Sequence, residues 1–172
     1  MTALVAAPAY ADATPDVSGK SGASTAAVAP RSGGSEWVQT DPIDFYHNFA
    51  GADRAYEQVS ELPALTIPNP GVWEISYSAR TNIGNPASAS ALYVHTAVFN
   101  NGALLPGSEA LTGKTYDPGE SSQDTIGQTV QYTFKAGDVV QLYGYRIGQQ
   151  GSAGILSNGD GRTGITAHWV SF

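Results

Sequence analysis

Apolar and polar residues alternate with a period of two along five stretches of the chain between Val72 and Val170. Successive side chains of a β-strand point to opposite faces, so this period is typical of a strand with one buried face. The more apolar members include aromatic and β-branched residues, which favour strands. They are Trp73, Ile75, Tyr77 and Ala79; Leu92, Val94, Thr96 and Val98; Val130, Tyr132 and Phe134; Val140, Leu142 and Gly144; and Ile165, Ala167 and Trp169.

Turn signals separate these stretches, and no window shows a convincing helical period of 3.6 residues. The chain has 20 Gly and 10 Pro, and several lie in clusters with Asn and Asp that favour turns. The sequence therefore predicts an all-β antiparallel sandwich or barrel, with Trp73 and Leu142 in its core. The turn signals are Asn69-Pro70-Gly71, Asn100-Asn101-Gly102, Asp117-Pro118-Gly119, Ala136-Gly137-Asp138 and Asn158-Gly159-Asp160.

A change of composition near residue 36 divides the chain into a low-complexity segment, 1–36, and a globular domain, 37–172. The first segment is dominated by Ala, Ser, Gly, Pro and Thr, and it cannot bury enough apolar surface to fold alone. Two interpretations stay open. The segment is an extended arm that binds a partner, or it is the remnant of a secretory leader with a cleavage site at Ala9-x-Ala11.

Charge and cysteine content exclude several classes of protein. The chain has no Cys, which excludes disulfide scaffolds, thiolate metal sites and cysteine nucleophiles. Its net charge is −7, with only eight Lys and Arg, so we expect no nucleic-acid partner. No stretch approaches the 18 consecutive apolar residues of a transmembrane helix, so we expect no membrane span.

Three motifs resemble those of the complement C1q head, a branch of the tumour-necrosis-factor-like jelly rolls. Residues 70–77 are similar to the P-G-x-Y-x-F-x-Y strand of that family, although Trp73 and Ile75 replace the usual Tyr and Phe. Residues 98–102 resemble its apolar strand that ends in an N-G turn. Residues 134–142 resemble its L-x-x-G-D-x-V-x-L element, the most specific of the three. The resemblance covers about 37–172, but Ala167-His168-Trp169 departs from the family's last strand.

The resemblance implies a jelly-roll β-sandwich of about ten strands that assembles as a homotrimer and binds partners without catalysis. Bacterial and bacteriophage members cap fibres, spore filaments and virion spikes. One feature of the residues agrees with a subunit contact. Tyr93, His95, Ala97 and Phe99 lie on one face of a predicted strand whose other face is also apolar, so a monomer would expose an apolar patch.

Candidate metal ligands are few and scattered. Asp117, Glu120 and Asp124 place three carboxylates in one loop, where Ca²⁺ could bind, although the EF-hand spacing is absent. His95 and His168 lie on predicted strands, where either could form a three-histidine Zn²⁺ site on a trimer axis. We expect a solvated loop and hydrogen-bonded histidines instead, and therefore no required metal, no cofactor and no enzymatic activity.

A long segment rich in Gly, Ser and Asn, residues 148–164, is predicted to be a loop between the last two strands. Long loops on a rigid sandwich often carry binding sites. Its candidate partner-binding residues are Ile155, Leu156, Asn158, Asp160 and Arg162.

Two functional interpretations follow. In the first, the chain is a trimeric virion component, a capsid decoration or a fibre or spike head, anchored to capsid or tail subunits by residues 1–36. In the second, it is a secreted or cell-surface binding module of bacterial origin. In both, a host-surface glycan or protein is an expected class of ligand.

Overall fold

The structure is a computed structural model, and it describes residues 36–172. The arm or leader remnant predicted for residues 1–36 lies outside the described residues, apart from Glu36. Residues 36–172 form thirteen strands and contain no helix. In chain order they are β1 (Trp37–Gln39), β2 (Asp44–Asn48), β3 (Glu57–Gln58), β4 (Leu65–Thr66), β5 (Gly71–Gly84), β6 (Ser90–Asn100), β7 (Ala103–Leu104), β8 (Ala110–Tyr116), β9 (Ser121–Ser122), β10 (Thr125–Phe134), β11 (Val139–Ile147), β12 (Ser152–Asn158) and β13 (Gly164–Ser171).

The strands form two antiparallel sheets that face each other as a sandwich. Sheet A contains β1, β2, β5, β9, β10, β12 and β13, and sheet B contains β3, β4, β6, β7, β8 and β11. In sheet A, β5 pairs with β10 on one side and with β13 and then β12 on the other, while β1 lies beside β13 and β2 beside β12. In sheet B, β6 and β11 form the centre. The predicted all-β antiparallel sandwich is therefore confirmed, whereas its assignment as a jelly roll stays a prediction.

The core lies between the sheets, and the period-two pattern explains why. Buried and partly exposed residues alternate along β5 and β11, and their buried apolar members join one cluster that spans both sheets. Trp73 is 0% exposed and Leu142 is 2% exposed, so both predicted core residues are confirmed. Burial of one such side chain stabilises the fold by about 1.5–3 kcal/mol.

The predicted Asn-Gly turn connects β6 to β7. Asn101 and Gly102 have φ values of 49° and 79°, the left-handed conformations of a tight hairpin turn. Gly adopts this region without steric cost, and Asn tolerates it better than most residues. The signals at 117–119 and 136–138 lie between strands, whereas Gly71 begins β5 and Asn158 ends β12, so the signals at 69–71 and 158–160 overlap a strand end by one residue.

The prediction of one long loop over residues 148–164 is wrong. Residues 152–158 form β12, which pairs with β5 on one side and β2 on the other. Ile155 is 0% exposed and Leu156 is 8% exposed, so neither can contribute to an exposed binding loop. This strand shows no alternation in the sequence, because a strand that is buried on both of its faces lacks the polar residues of a half-buried strand.

A buried arginine lies on the inward side of β11. Arg146 is 7% exposed, and its guanidinium donates hydrogen bonds to three backbone carbonyls. Nε donates to Gly148 at 2.8 Å, Nη2 to Gly151 at 2.9 Å and Nη1 to Phe49 at 3.3 Å. These bonds offset the cost of removing the guanidinium from water. They also connect β11 to the chain that follows β2 and to the turn before β12.

Candidate functional site

The outward faces of the two sheets differ in chemistry. On sheet A, the outward residues of β5 and β10 are polar and hydrogen-bonded to each other. Thr129 Oγ1 donates to Ser76 Oγ at 3.0 Å, and Gln131 Nε2 donates to Glu74 Oε2 at 3.1 Å. On sheet B, aromatic side chains that contact one another cluster on the outward face, whereas the exposed Trp37 and Tyr46 of sheet A lie apart on β1 and β2.

We call this second surface the aromatic face and define it as Tyr56, His95, Phe99, Tyr143 and Tyr145. Tyr143 and Tyr145 alternate with core residues along β11, so both point away from sheet A. His95 lies directly opposite Tyr145 in the pairing of β6 with β11, and Phe99 lies opposite Gln141. Tyr56 precedes β3, the strand that pairs with β11 at Tyr143. Cross-strand pairing therefore assembles the surface from three elements.

The rings of the aromatic face contact one another in favourable geometries. His95 stacks on Tyr145 with centroids 4.6 Å apart, and Phe99 stacks on Tyr143 at 4.1 Å. Tyr56 approaches Tyr145 edge-on at 4.7 Å and Phe99 at 5.0 Å. Stacked and edge-to-face pairs each contribute about 0.5–1.5 kcal/mol beyond their buried area. The aromatic face is therefore a packed and ordered surface.

A chain of hydrogen bonds crosses the aromatic face from His95 through Tyr56 to Glu109. The Tyr56 hydroxyl donates to Glu109 Oε1 at 2.8 Å and lies 3.0 Å from His95 Nδ1. A hydroxyl has one proton, so Nδ1 of His95 must carry the proton between it and Tyr56. Nε2 of neutral His95 is then the unprotonated nitrogen, and it lies 3.9 Å from Glu109 Oε1.

The protonation states of these groups follow from burial and from the charge of Glu109. Burial raises the pKa of Tyr56 well above its ordinary value, and the hydrogen bond to Glu109 and its charge raise it further. Burial lowers the pKa of His95, while the charge of Glu109 opposes that shift. Burial also raises the pKa of Tyr145, and Glu109 adds to it. At neutral pH these three aromatic groups are uncharged, which suits recognition by packing and hydrogen bonding.

Two exposed leucines border the aromatic face. Leu111 of β8 lies directly opposite His95 in the sheet and is 53% exposed. Leu104 of β7 lies opposite Phe99 and is 36% exposed. With them, the apolar surface extends from β11 across β6 to both strands that pair with the far side of β6.

Of the three carboxylates considered as a calcium site, those of Glu120 and Asp124 bind different partners. Glu120 forms an ion pair with Lys114, and its other oxygen accepts from the backbone N–H of Asp117 at 3.0 Å. Asp124 accepts from the hydroxyl of Thr112 at 3.0 Å. Within residues 36–172, no group of three His, Asp or Glu residues could hold a metal ion.

The two candidate histidines lie in different sheets. His95 belongs to β6 of sheet B and takes part in the aromatic face. His168 belongs to β13 of sheet A, opposite Trp37 on one side and Glu74 on the other. The structure therefore does not bring them together within one chain.

The remaining candidates from the predicted loop occupy the turn between β12 and β13. Asp160 and Arg162 form an ion pair, and Asn158 is the last residue of β12. This turn borders a polar cleft of about 190 Å³ on sheet A, whose lining includes Ser76, Ser78, Thr163 and Thr166. A binding role for these three residues stays a prediction.

Two residues of the site, Tyr56 and Glu109, could not be predicted from the sequence. Both lie outside the five alternating stretches, so no periodic signal marked them. Tyr143 and Tyr145 carried a signal, because they alternate with Leu142 as aromatic residues on the side away from the core.

The sequence matches no protein-family model, and no curated protein matches it. The part of the chain that the structure describes has no helix that is both long and apolar enough to cross a membrane.

Proposed function

We propose that the chain is a non-catalytic structural or binding protein that forms a homotrimer through the aromatic face. The observation that carries this proposal is the collection of aromatic side chains and exposed leucines on the outward face of sheet B. We propose further that the trimer belongs to a bacteriophage virion, as a capsid decoration or a fibre or spike head. Residues 1–36 then attach it to capsid or tail subunits.

The chemistry of the aromatic face supports a protein contact. Aromatic residues are enriched at the centres of interfaces, whereas charged residues are depleted there. Leu111 and Leu104 lie on the same side of sheet B and would lose their exposed area in such a contact. In a closed threefold assembly each copy contacts its two neighbours through two different surfaces, so the aromatic face of every copy is covered by the next copy.

The state of the polar groups favours binding over catalysis. The raised pKa of Tyr56 keeps its hydroxyl protonated, so it cannot act as a phenolate nucleophile near neutral pH. The same hydroxyl accepts the hydrogen bond from Nδ1 of His95, so this nitrogen already has a partner. The hydrogen-bond chain therefore orders the rings of the surface.

Light scattering of the full chain tests the trimer. At low micromolar concentration we expect a mass three times the 17.9 kDa of one chain. Leu111→Glu should lower the mass to that of a monomer, because it places a charge on the rim of the aromatic face. Val170→Glu is a matched control, since Val170 is 44% exposed and belongs to sheet A. A wild-type monomer would overturn the trimer.

Deletion of residues 1–36 tests the attachment. The truncated protein should keep its oligomeric mass and melting temperature but lose its association with the particle.

The secreted module is the second candidate, favoured by the Ala9-x-Ala11 pattern. A mature protein that begins near Asp12, measured by mass spectrometry, would support that candidate over the virion.

A further inference from the structure

One strand of sheet A, β10, has an edge with no paired strand among the residues that the structure describes. β10 pairs with β5 from Thr125 to Phe134, and within residues 36–172 no strand pairs with its other side. Five of its ten residues are exposed, four are partly buried, and only Phe134 is buried. A row of backbone donors and acceptors at an open edge is a template for another strand.

The structure identifies which residues of β10 present their backbone groups to the open edge. A strand residue directs its N–H and C=O to the same side. Arg80 donates its N–H to Thr163, away from β10, whereas Thr81 donates to Asp124, on the β10 side. With the regular register, the even-numbered residues of β10 therefore bond to β5. The residues whose backbone groups face the open edge are Thr125, Gly127, Thr129, Gln131 and Thr133.

β10 also lacks the features by which proteins protect an open edge. Such edges are usually short, or they carry a charge, a proline or a bulge. β10 has ten residues, none of them charged and none of them proline, and it pairs with β5 without a register shift.

The other open edges differ from β10 in this respect. β8 carries Lys114, and its Gly113 has a φ of 139°, which interrupts the regular strand. β1 has three residues, and β2 has five and begins at Asp44. The long uncharged edge is therefore a distinct property of β10 among these strands.

We propose that the open edge of β10 pairs with the open edge of β10 in a second copy of this chain. The pairing is antiparallel about a twofold axis at Thr129, so Gly127 lies opposite Gln131 and Thr125 lies opposite Thr133. Each strand has five residues whose backbone N–H and C=O groups face the open edge. Two paired strands can therefore exchange ten hydrogen bonds. No like charges meet, because the strand contains no charged side chain.

The side chains of β10 also favour a second copy as the occupant. In this register, Ile126 of each copy lies opposite Tyr132 of the other, and both are only partly buried in one chain. Aromatic and β-branched residues form favourable cross-strand pairs. On the outward face of the sheet, Thr129 meets its own counterpart.

This pairing uses a surface separate from the aromatic face, so it does not depend on the trimer. If the trimer forms as proposed, a twofold axis perpendicular to its threefold axis gives a closed assembly of six copies. If the trimer does not form, the same edge gives a dimer. Edge pairing therefore doubles the mass in either case.

Thr129→Pro in the full chain tests the proposal. Proline removes an N–H that faces the open edge and leaves the bonds from the even-numbered residues to β5 in place. Wild-type mass should double between low micromolar and several hundred micromolar concentration, and the substitution should weaken that step at least about tenfold. Thr129→Val, which keeps the N–H, is the control and should retain the step. An unchanged mass in wild type, or an equal step in Thr129→Pro, would overturn the proposal.

Hydrogen exchange gives a second measurement that does not rely on a variant. The amides of Gly127, Thr129 and Gln131 should exchange fast in dilute protein and slowly in concentrated protein. The amides of Gln128 and Val130, which bond to β5, should exchange slowly at both concentrations. Equal exchange rates of the Gly127, Thr129 and Gln131 amides at both concentrations would contradict the proposal. If these equal rates were slow, another segment would cover the edge.

Discussion

Replacing Trp73 with Ala removes the largest side chain that is fully buried between the sheets. Trp→Ala changes in a core cost about 3–5 kcal/mol, because burial is lost and a cavity remains. Trp73 also donates its indole N–H to the carbonyl of Asn69 at 3.0 Å, and loss of that bond contributes about 1 kcal/mol. The upper half of the range, about 4–5 kcal/mol, is therefore expected.

Urea unfolding followed by circular dichroism measures this loss without using tryptophan fluorescence, which the substitution itself alters. For a slope of about 2 kcal/mol per molar, the midpoint should fall by roughly 2 M. Protein concentration must be held fixed, since subunit association adds to apparent stability. Trp37→Ala is the matched control. Because Trp37 is 56% exposed, this substitution should lower the free energy of unfolding by no more than about 0.5 kcal/mol. A loss below about 1 kcal/mol for Trp73→Ala would show that the core is assigned to the wrong face.

Three further predictions concern buried or titrating groups. Arg146→Met should lower the free energy of unfolding by about 2–3 kcal/mol in thermal denaturation, because buried carbonyls such as that of Phe49 lose their donors. The hydrogen bond from the backbone N–H of Lys135 is the main cause that lowers the pKa of Asp138, so this carboxylate stabilises the fold above its ordinary pKa. That contribution is lost as the pH falls through the folded pKa, and Asp138→Asn should show a weaker fall in stability between about pH 5 and pH 2. Since burial lowers the pKa of His95, an NMR titration of its ring should give a midpoint below about 6.5, and Glu109→Gln should lower that midpoint further.

The half-buried strands could be predicted from the sequence because each exposes one face. The alternating residues around Trp73, Val94, Val130, Leu142 and Ala167 all lie within strands, and the turn signals lie between strands or overlap a strand end by one residue. The alternation of apolar and polar residues along these strands indicates which face of the sheet contacts water. Where that contrast exists, a single sequence suffices to place the strand and its buried face.

The strands and site residues that were missed lack that contrast. β12 is buried on both faces, and its small residues Ala153 and Gly154 resemble those of a loop. Tyr56 and His95 are 39 residues apart in the chain, yet the pairing of β3, β11 and β6 brings them into contact. The aromatic face depends on that pairing register, which no local pattern in the sequence specifies.

The position of β13 has a consequence for the order in which the protein can fold during synthesis. β13 is the last strand of the described chain, but it lies between β1, the first strand, and β5. Until residues 164–171 have left the ribosome, β1 has no partner and β5 has one side incomplete. Pairings between distant segments also form slowly. Sheet A therefore cannot be completed before β13 is synthesised. Until then the partly formed sheet, including the uncharged edge of β10, is exposed to neighbouring chains.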